Sequence, residues 1–211
     1  MNLTDMITLV RKDLRDQDNQ NYRWSDDELA RHISRAVREF SEEVPLPARA
    51  TLPTSGDSRE VDISALTGRV MVEAVEFPLL SFPPDYQQFT VWGDALTIIS
   101  GGEPDGSNCY IYYGRLHTLD AGGSTVPAKY EDIIAAGACG FAAVAWAVYA
   151  VNRVNVGGTL TSKEYLEWGN RKVEDFRREL KRLGRKNRVR ASSLYQPYHP
   201  VVNQSSDYGA Y

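Results

Sequence analysis

The fold is decided by residues 133–151, IIAAGACGFAAVAWAVYAV, nineteen consecutive residues without a charged side chain. The run is longer than a buried strand and contains no proline, so it predicts a helix. Alanine and glycine dominate it, and small side chains let neighbouring backbones approach closely. Because the helix is apolar on every side, other elements must cover every side. We therefore expect it to form the centre of a helical bundle.

A membrane span is the alternative interpretation of this run, because about twenty apolar residues cross a bilayer. Insertion into lipid favours leucine, isoleucine and phenylalanine, whereas this run is rich in alanine and glycine. The flanking sequences are ordinary mixtures of polar and charged residues. The composition favours a buried helix, and we expect no membrane partner.

Two amphipathic helices are predicted before this run by apolar residues spaced three and four apart. The first covers residues 3–14. The second begins with a capping box, in which the Ser25 hydroxyl and the Glu28 carboxylate each bind a backbone amide of the first turn. Pro45 and Pro47 end it, because proline cannot continue a helix.

The central helix is predicted to run from about Lys129 to Arg153, and a fourth helix follows a cap at Thr161 or Ser162. Gly184 is predicted to end the fourth helix, since glycine favours the position after a helix. The predicted bundle core consists of Trp24, Leu29, Ile33, Val37, Phe40, Ile134, Ala138, Phe141, Ala145, Val148, Leu166, Val173, Phe176 and Leu180.

Between the second and third helices the apolar period changes to two, which is typical of strands. Six short strands are predicted, and Gly93 and Asp94 are a two-residue hairpin turn. The strands lie near residues 48–52, 59–63, 70–77, 89–92, 95–99 and 109–116. We therefore predict an α+β fold: an antiparallel four-helix bundle (residues 1–46 and 126–184) with an inserted small antiparallel β domain (residues 47–125).

Residues 185–211 lack apolar periodicity and contain four tyrosines and two prolines. They are predicted to form an extended C-terminal arm, whose spaced aromatic residues suit binding to a neighbouring protein. A loose terminus is the alternative. The predicted arm residues are Arg185, Arg188, Arg190, Leu194, Tyr195, Tyr198, Val201, Val202, Tyr208 and Tyr211.

The net charge of −4 conceals an asymmetry along the chain. Residues 163–190 contain eleven Lys or Arg and five Asp or Glu, a local surplus of six positive charges. The pattern indicates a partner, either nucleic acid or an acidic protein surface. A solvated helix with mixed charges remains the alternative, because acidic residues are interleaved with the basic ones.

Motifs for catalysis or cofactor binding are not found in the sequence. His32, His117 and His199 have no metal-ligand spacing, so no metal site is expected. Cys109 and Cys139 suggest buried packing in a reducing compartment rather than a disulfide or a nucleophile. We therefore predict no catalytic residue, no metal and no cofactor, and a structural rather than enzymatic role.

Two segments carry a resemblance to a known family. The opening WSDDELARHISRA, residues 24–36, and the proline-led, acidic start of the alanine-rich helix, PAKYEDIIAAGA, residues 127–138, resemble the head-tail adaptor (connector, or head completion) proteins of tailed bacteriophages. The resemblance covers residues 1–46 and 126–184. Its motifs are capping and packing patterns rather than chemical ones.

The resemblance implies a structural virion protein of the neck, assembled in the host cytoplasm. Such proteins form a ring, usually of twelve copies, that docks under the portal protein and offers its far face to the tail or the next neck protein. Genome DNA would pass through the lumen without sequence-specific binding. The arm would reach the portal or a neighbouring subunit.

Two other functions are left open by the residues themselves. The basic fourth helix would suit a DNA-binding helical protein, although the chain as a whole is acidic. The aromatic strands at residues 89–92 and 110–113 would suit an enzyme or a carbohydrate-binding β module, although such rings more often form cross-strand pairs.

Overall fold

The computed structural model describes residues 1–150 and 162–192, with side chains as far as Arg185. Contacts between residues divide the described chain into two units. The helical unit comprises Met1–Leu46 and Leu116–Gly184, and the β unit comprises Pro47–Arg115. Each unit has its own apolar core.

The described residues contain four α-helices and nine strands. The helices are α1 (Leu3–Leu14), α2 (Asp26–Glu43), α3 (Glu131–Ala150) and α4 (Ser162–Ser192). A short 3-10 helix (Ala128–Tyr130) leads into α3. The strands are β1 (Leu46–Pro53), β2 (Glu60–Asp62), β3 (Arg69–Glu76), β4 (Tyr86–Gln87), β5 (Phe89–Trp92), β6 (Ala95–Ile98), β7 (Asn108–Arg115), β8 (Leu119–Asp120) and β9 (Gly123–Ser124).

Helix starts follow the local sequence signals. The Ser25 hydroxyl accepts from the Glu28 amide at 3.2 Å, and the Glu28 carboxylate accepts from the Ser25 amide at 2.8 Å. The predicted capping box is therefore confirmed. A second capping box, between Asn2 and Asp5, opens α1. It satisfies backbone amides that have no partner within the helix.

Helix α3 is the central element of the helical unit and packs against the other three helices. Its small residues permit very close approach to α4. A Cβ built on Gly140 would lie 3.0 Å from the backbone nitrogen of Val173, and one on Gly169 would lie 3.0 Å from the backbone nitrogen of Val144. Glycine is required at these two crossings because any side chain would collide with the opposite backbone.

The β unit contains two antiparallel sheets, ordered β1-β7-β3-β4 and β2-β6-β5. Trp92 pairs with Ala95, so Gly93 and Asp94 form the predicted two-residue hairpin turn, and Gly93 takes a φ of 59° there. Six strands lie where the period of two predicted them. The sheets bury an apolar core of their own: Val61, Ile63, Leu66, Val75, Phe77, Leu96, Ile98, Cys109 and Ile111.

The predicted antiparallel four-helix bundle with a small β insertion is wrong, although the α+β class is compatible with the fold. The described helices range from 12 to 31 residues, and the helical unit also holds the β8-β9 hairpin. Helical periodicity identifies an apolar face but not how neighbouring helices are arranged. Alternation of apolar and polar residues likewise locates strands, but it does not show how large a sheet they form.

The predicted end of α4 at Gly184 is also wrong, because the helix continues to Ser192. A Cβ on Gly184 would meet the side chain of Glu43 in α2. The glycine therefore lies within the helix, beside the Glu43 side chain, rather than at its end. Residues 185–192 of the predicted extended arm are helical, and residues 193–211 lie outside the described part of the chain.

Residues 128–150 are long and apolar enough to cross a membrane, judged by length and composition only. Within its apolar 18-residue window, 56% is buried within the protein. A membrane-spanning helix would present this surface to lipid, whereas here α1, α2 and α4 cover it. The burial favours the interpretation of α3 as a core helix.

Candidate assembly surfaces

A cleft among α2, α3 and α4 combines cationic and apolar side chains within the helical unit. Its volume is about 540 Å³, and its lining includes the guanidinium groups of Arg31, Arg35 and Arg177. None of the described residues that line it is acidic. We call this feature the arginine cleft. Its apolar lining includes Phe141, Val144, Val148 and Val173.

Glu39, one turn after Arg35, holds two of these arginines in place. Its carboxylate accepts from Arg35 Nε at 3.2 Å and from Arg177 Nε and Nη2 at 3.0 and 3.1 Å. Burial alone would raise the pKa of Glu39, but the hydrogen bonds from Arg177 and Arg35 outweigh this effect and lower the pKa. One carboxylate thus pairs with two cations. Arg31 adds to a net positive charge at the cleft.

Aromatic and imidazole groups complete the chemistry of the arginine cleft. The Arg35 guanidinium lies 4.0 Å from the centroid of the Phe141 ring, a cation–π contact that keeps the charge beside the apolar lining. Burial, assisted by the nearby Arg31, lowers the pKa of His32. This imidazole is therefore neutral at neutral pH, and the positive charge of the cleft comes from arginine alone.

The β unit carries an exposed apolar loop between β3 and β4. It comprises residues 77–85, FPLLSFPPD, and we call it the finger. Leu80 and Phe82 are 95% and 97% exposed, and the carboxylate-bearing Asp85 is exposed as well. Prolines at positions 78, 83 and 84 restrict its backbone.

Hydrogen bonds close the base of the finger. The Phe77 amide donates to the carbonyl of Asp85 at 3.0 Å, and Gln87 Nε2 donates to the carbonyl of Phe77 at 2.5 Å. Ser100 Oγ in turn donates to Gln87 Oε1 at 2.9 Å. The Phe77 ring is buried in the β-unit core. The base of the finger is thus fixed to the sheet, while Leu80 and Phe82 are left uncovered.

Residues 1–193 match the protein family described as SU10 adaptor protein. The chain belongs to the SU10 adaptor protein family. The resemblance to bacteriophage head-tail adaptors, carried by residues 24–36 and 127–138, is thereby confirmed. A comparison with curated proteins finds no match.

Membership makes this SU10 adaptor a structural, virion-associated protein of a bacteriophage. An adaptor of this kind interacts with other head or tail proteins. Within the described residues, the arginine cleft and the finger are two candidate surfaces for such an interaction.

Two described side chains with reactive groups, Cys139 and His117, are buried and hydrogen-bonded within the protein. Burial, reinforced by the Asp13 carboxylate, raises the pKa of Cys139 to about 12, so its thiol is not an activated nucleophile. The two ring nitrogens of His117 lie 2.9 and 3.1 Å from the carbonyl oxygens of Thr125 and Val44. Within the described residues, no group of three His, Cys, Asp or Glu is placed to hold a metal.

The described aromatic side chains of the β unit differ in exposure, which bears on whether they could form a binding surface. The Tyr112 hydroxyl donates to Glu76 at 2.6 Å, and its ring meets Tyr86 edge-on at 6.1 Å between centroids. Burial, with the Glu76 hydrogen bond, raises the pKa of Tyr112. Trp92, by contrast, is 89% exposed at the hairpin turn. The rings therefore do not form one continuous exposed surface.

Arg11 is a structural residue that the sequence analysis missed. Its guanidinium donates to Asp16 and Asp26, both at 2.7 Å, and to the carbonyl of Trp24 at 2.9 Å. Arg11 and Asp16 are both buried. The contacts tie α1 to the start of α2. No local signal indicates them, because an arginine on an amphipathic helix ordinarily faces solvent.

The residues predicted for the bundle core lie mostly in the helical unit's buried apolar cluster. Val173 and Ala145 are only partly buried, and Val148 and Leu166 are 67% and 36% exposed. Because α3 is apolar all round, spacing alone does not show that Ala147 rather than Val148 turns inward. The buried members are Trp24, Leu29, Ile33, Val37, Phe40, Ile134, Ala138, Phe141, Phe176 and Leu180.

The arm residues are described only in part. Arg185 is exposed on α4, and Arg188 and Arg190 lie on the last turns of the same helix. The remaining predicted arm residues, from Leu194 to Tyr211, lie outside the described part of the chain. The sequence analysis also missed the arginine cleft and the finger. The uncharged run FPLLSFPP, residues 77–84, is the signal that would have identified the finger.

Proposed function

We propose that this SU10 adaptor forms a ring of identical subunits that docks under the portal and connects the capsid to the tail or the next neck protein. Family membership over residues 1–193 is the observation that carries the proposal. Twelve copies would match the number usual among the adaptors it resembles. The protein would be assembled in the host cytoplasm and reside in the neck of the virion.

The C-terminal arm supplies the proposed contact with the portal or with a neighbouring subunit. Its residue types are simple: tyrosines at 195, 198, 208 and 211 alternate with prolines and with Val201 and Val202. Segments of this kind bind by adding a strand or by seating aromatic anchors in a partner's pockets. Because α4 extends to Ser192, the proposed arm begins at residue 193.

We propose that genome DNA passes through the lumen of the ring. Outside residues 163–190 the chain carries a surplus of ten negative charges. Acidic walls would repel phosphates rather than hold them, whereas lysine and arginine attract phosphates strongly and without regard to base sequence. We therefore expect acidic surfaces to face the lumen.

DNA binding through α4 is the alternative function. Several basic residues of this helix are engaged by carboxylates: Lys163 by Glu167, Arg178 by Asp175, Arg182 by Glu179 and Arg177 by Glu39. Exposed pairs of this type are weak, but they lower the positive potential that phosphates would meet. The pairing supports the adaptor function over the DNA-binding function. Affinity for DNA that falls steeply with salt would favour the alternative.

Electron microscopy of the purified protein mixed with portal tests the proposal. We expect a ring added beneath the portal with the full-length chain. A variant lacking residues 193–211 should lose the ring, and a full-length variant with serine at the four arm tyrosines should lose it as well, because the aromatic anchors are gone. The portal without an added ring in the full-length sample would contradict the proposed function. A ring formed by both variants would remove the arm from it.

A further inference from the structure

The tip of the finger displays apolar side chains that the described chain does not use for packing. Leu80 and Phe82 are almost fully exposed. Leu80 also has a φ of 67°, in the left-handed region that disfavours side chains with a Cβ. Glycine or asparagine would suit this position better in an isolated subunit. Strain kept at an exposed residue points to a contact with another molecule.

The arginine cleft has the size and lining to receive such a tip. Its volume of about 540 Å³ lies within the range of about 300 to 1,000 Å³ that is typical of binding pockets. Phe141, Val144 and Val148 provide an apolar surface, and Val148 is itself 67% exposed. The arginines around this surface call for an occupant that carries a carboxylate next to its apolar residues.

Asp85 gives the finger that carboxylate, three residues after Phe82. We propose that the finger of one copy docks into the arginine cleft of a second copy, with Leu80 and Phe82 against the apolar lining and Asp85 against the arginines. The inference rests on the proposed ring and names one contact that would build it. The finger and the arginine cleft each carry apolar side chains, and the Asp85 carboxylate is opposite in charge to the arginines. Aromatic and arginine residues are the side chains that most often dominate interfaces.

The contact has a geometric consequence. It joins two different surfaces of the same chain, so a docked pair still offers one free finger and one free cleft. Such a head-to-tail contact generates a ring when the rotation between copies closes. A two-fold symmetric dimer, in contrast, would consume both surfaces at once.

Cross-linking between two singly substituted chains tests the contact. S81C and V148C chains are mixed and treated with a short bismaleimide, which joins thiols that lie close together. Ser81 lies between Leu80 and Phe82, so S81C keeps both proposed anchors. Neither Ser81 nor Val148 belongs to an apolar core, and circular dichroism verifies the folding of each variant. The natural cysteines, Cys109 and Cys139, are buried and therefore protected. The unsubstituted chain measures any residual reaction.

W92C is the control, because Trp92 is an exposed residue of the β unit outside the finger. We expect the S81C and V148C pair to cross-link at least about tenfold more than the W92C and V148C pair, since docking raises the effective concentration of the thiols. Equal yields would overturn the contact. Introducing D85K beside S81C should lower the yield, and R31E beside V148C should recover part of it.

Two outcomes separate this contact from the proposed function. A ring that still forms under the portal with the L80S/F82S chain would overturn the finger contact and leave the adaptor function standing. Specific cross-linking of S81C with V148C, without any ring on the portal, would support the contact and overturn the proposed function.

Discussion

At position 80, a leucine with a φ of 67° leaves 95% of its side chain in solvent. The left-handed conformation costs a residue with a Cβ about 1 to 2 kcal/mol, whereas glycine adopts it freely at an entropic cost of about 0.5 to 1 kcal/mol. We expect Leu80→Gly to keep or raise the free energy of unfolding by up to about 1 kcal/mol, measured by urea denaturation. Assembly through the finger should weaken.

Ile99→Gly is the control for this prediction. Ile99 is another exposed apolar residue of the β unit, but its φ is not positive. Its replacement should lower stability by about 0.5 to 1 kcal/mol, because only the entropic cost of glycine applies. A loss of more than about 1 kcal/mol in Leu80→Gly would show that Leu80 packs within its own subunit, and would speak against its role in assembly.

His32 makes stability depend on pH through a single buried ring. Burial first, and Arg31 second, lower its pKa in the folded chain, while Glu28 acts in the opposite direction. The folded state therefore resists protonation. Above the unfolded pKa of about 6.5 the ring is neutral in both states and does not change the free energy of unfolding. As the pH falls from there towards the folded pKa, the unfolded state binds a proton more readily, and stability decreases.

We expect His32→Gln to remove this part of the pH dependence. The stability of the natural chain relative to the variant should be constant at about pH 7.5 and should decline as the pH falls below about 6.5. Urea denaturation of both chains over this range measures the difference. If the difference in the free energy of unfolding between the two chains stays the same at every pH, burial does not lower the pKa of His32.

At the scale of the element, the α3-α4 crossing depends on glycines rather than on large apolar side chains. A Cβ on Gly140 would lie 3.0 Å from the Val173 nitrogen and 3.1 Å from the Gly169 carbonyl oxygen, and neither backbone atom can move without shifting a helix. We expect Gly140→Ala to destabilise the protein by about 1 to 3 kcal/mol, as overpacked cores do. Thermal or urea unfolding measures the loss.

Gly102→Ala provides the comparison for Gly140→Ala. Nothing lies within 4 Å of a Cβ at Gly102, and its φ is not positive. This substitution should change stability by no more than about 0.5 kcal/mol, as is usual for surface positions. Equal effects of the two substitutions would mean that the close crossing does not exclude a side chain at position 140.

At the scale of the whole molecule, the β unit is built as an insertion whose two ends meet. Strand β1 lies beside β7 in the sheet, and the Thr54 amide, just after β1, donates to the Ser107 carbonyl, just before β7. The two strands therefore run antiparallel. Their outer ends, near Pro47 and Arg115, come together where the chain enters and leaves the unit.

We expect residues 47–115 to fold when they are produced alone, because the unit has its own apolar core and neighbouring ends. Circular dichroism and cooperative urea unfolding would measure this. The reciprocal chain, with residues 47–115 replaced by a short glycine linker, should retain the helical spectrum. Failure of both fragments to fold would show that the two units stabilise each other.

The elements and their ends were largely accessible from the sequence, because the interactions that set them are local. The capping box at Ser25, the prolines after α2 and the Gly93-Asp94 turn act through neighbours a few residues away. The apolar run at residues 133–151 indicated a core helix for the same reason. The family resemblance also depended on these local patterns, and membership in the SU10 adaptor family confirms it.

The candidate surfaces could not be predicted from the sequence, because they consist of residues that only folding brings together. Arg35 and Arg177 share Glu39 although they are separated by most of the chain. In the sequence, Leu80 is an ordinary apolar residue. Its positive φ and its exposure are visible only in the structure.

By itself, the sequence determined the positions of the helices apart from the end of α4, six of the nine described strands, the identity of the core helix and the family of the protein. Local periodicity, capping and turn chemistry carry that information. Only the tertiary structure decided the extent of the sheets, the continuation of α4 past Gly184 and the pairing of cationic and apolar groups in the arginine cleft. These features depend on contacts between residues far apart in the chain, which periodicity does not encode.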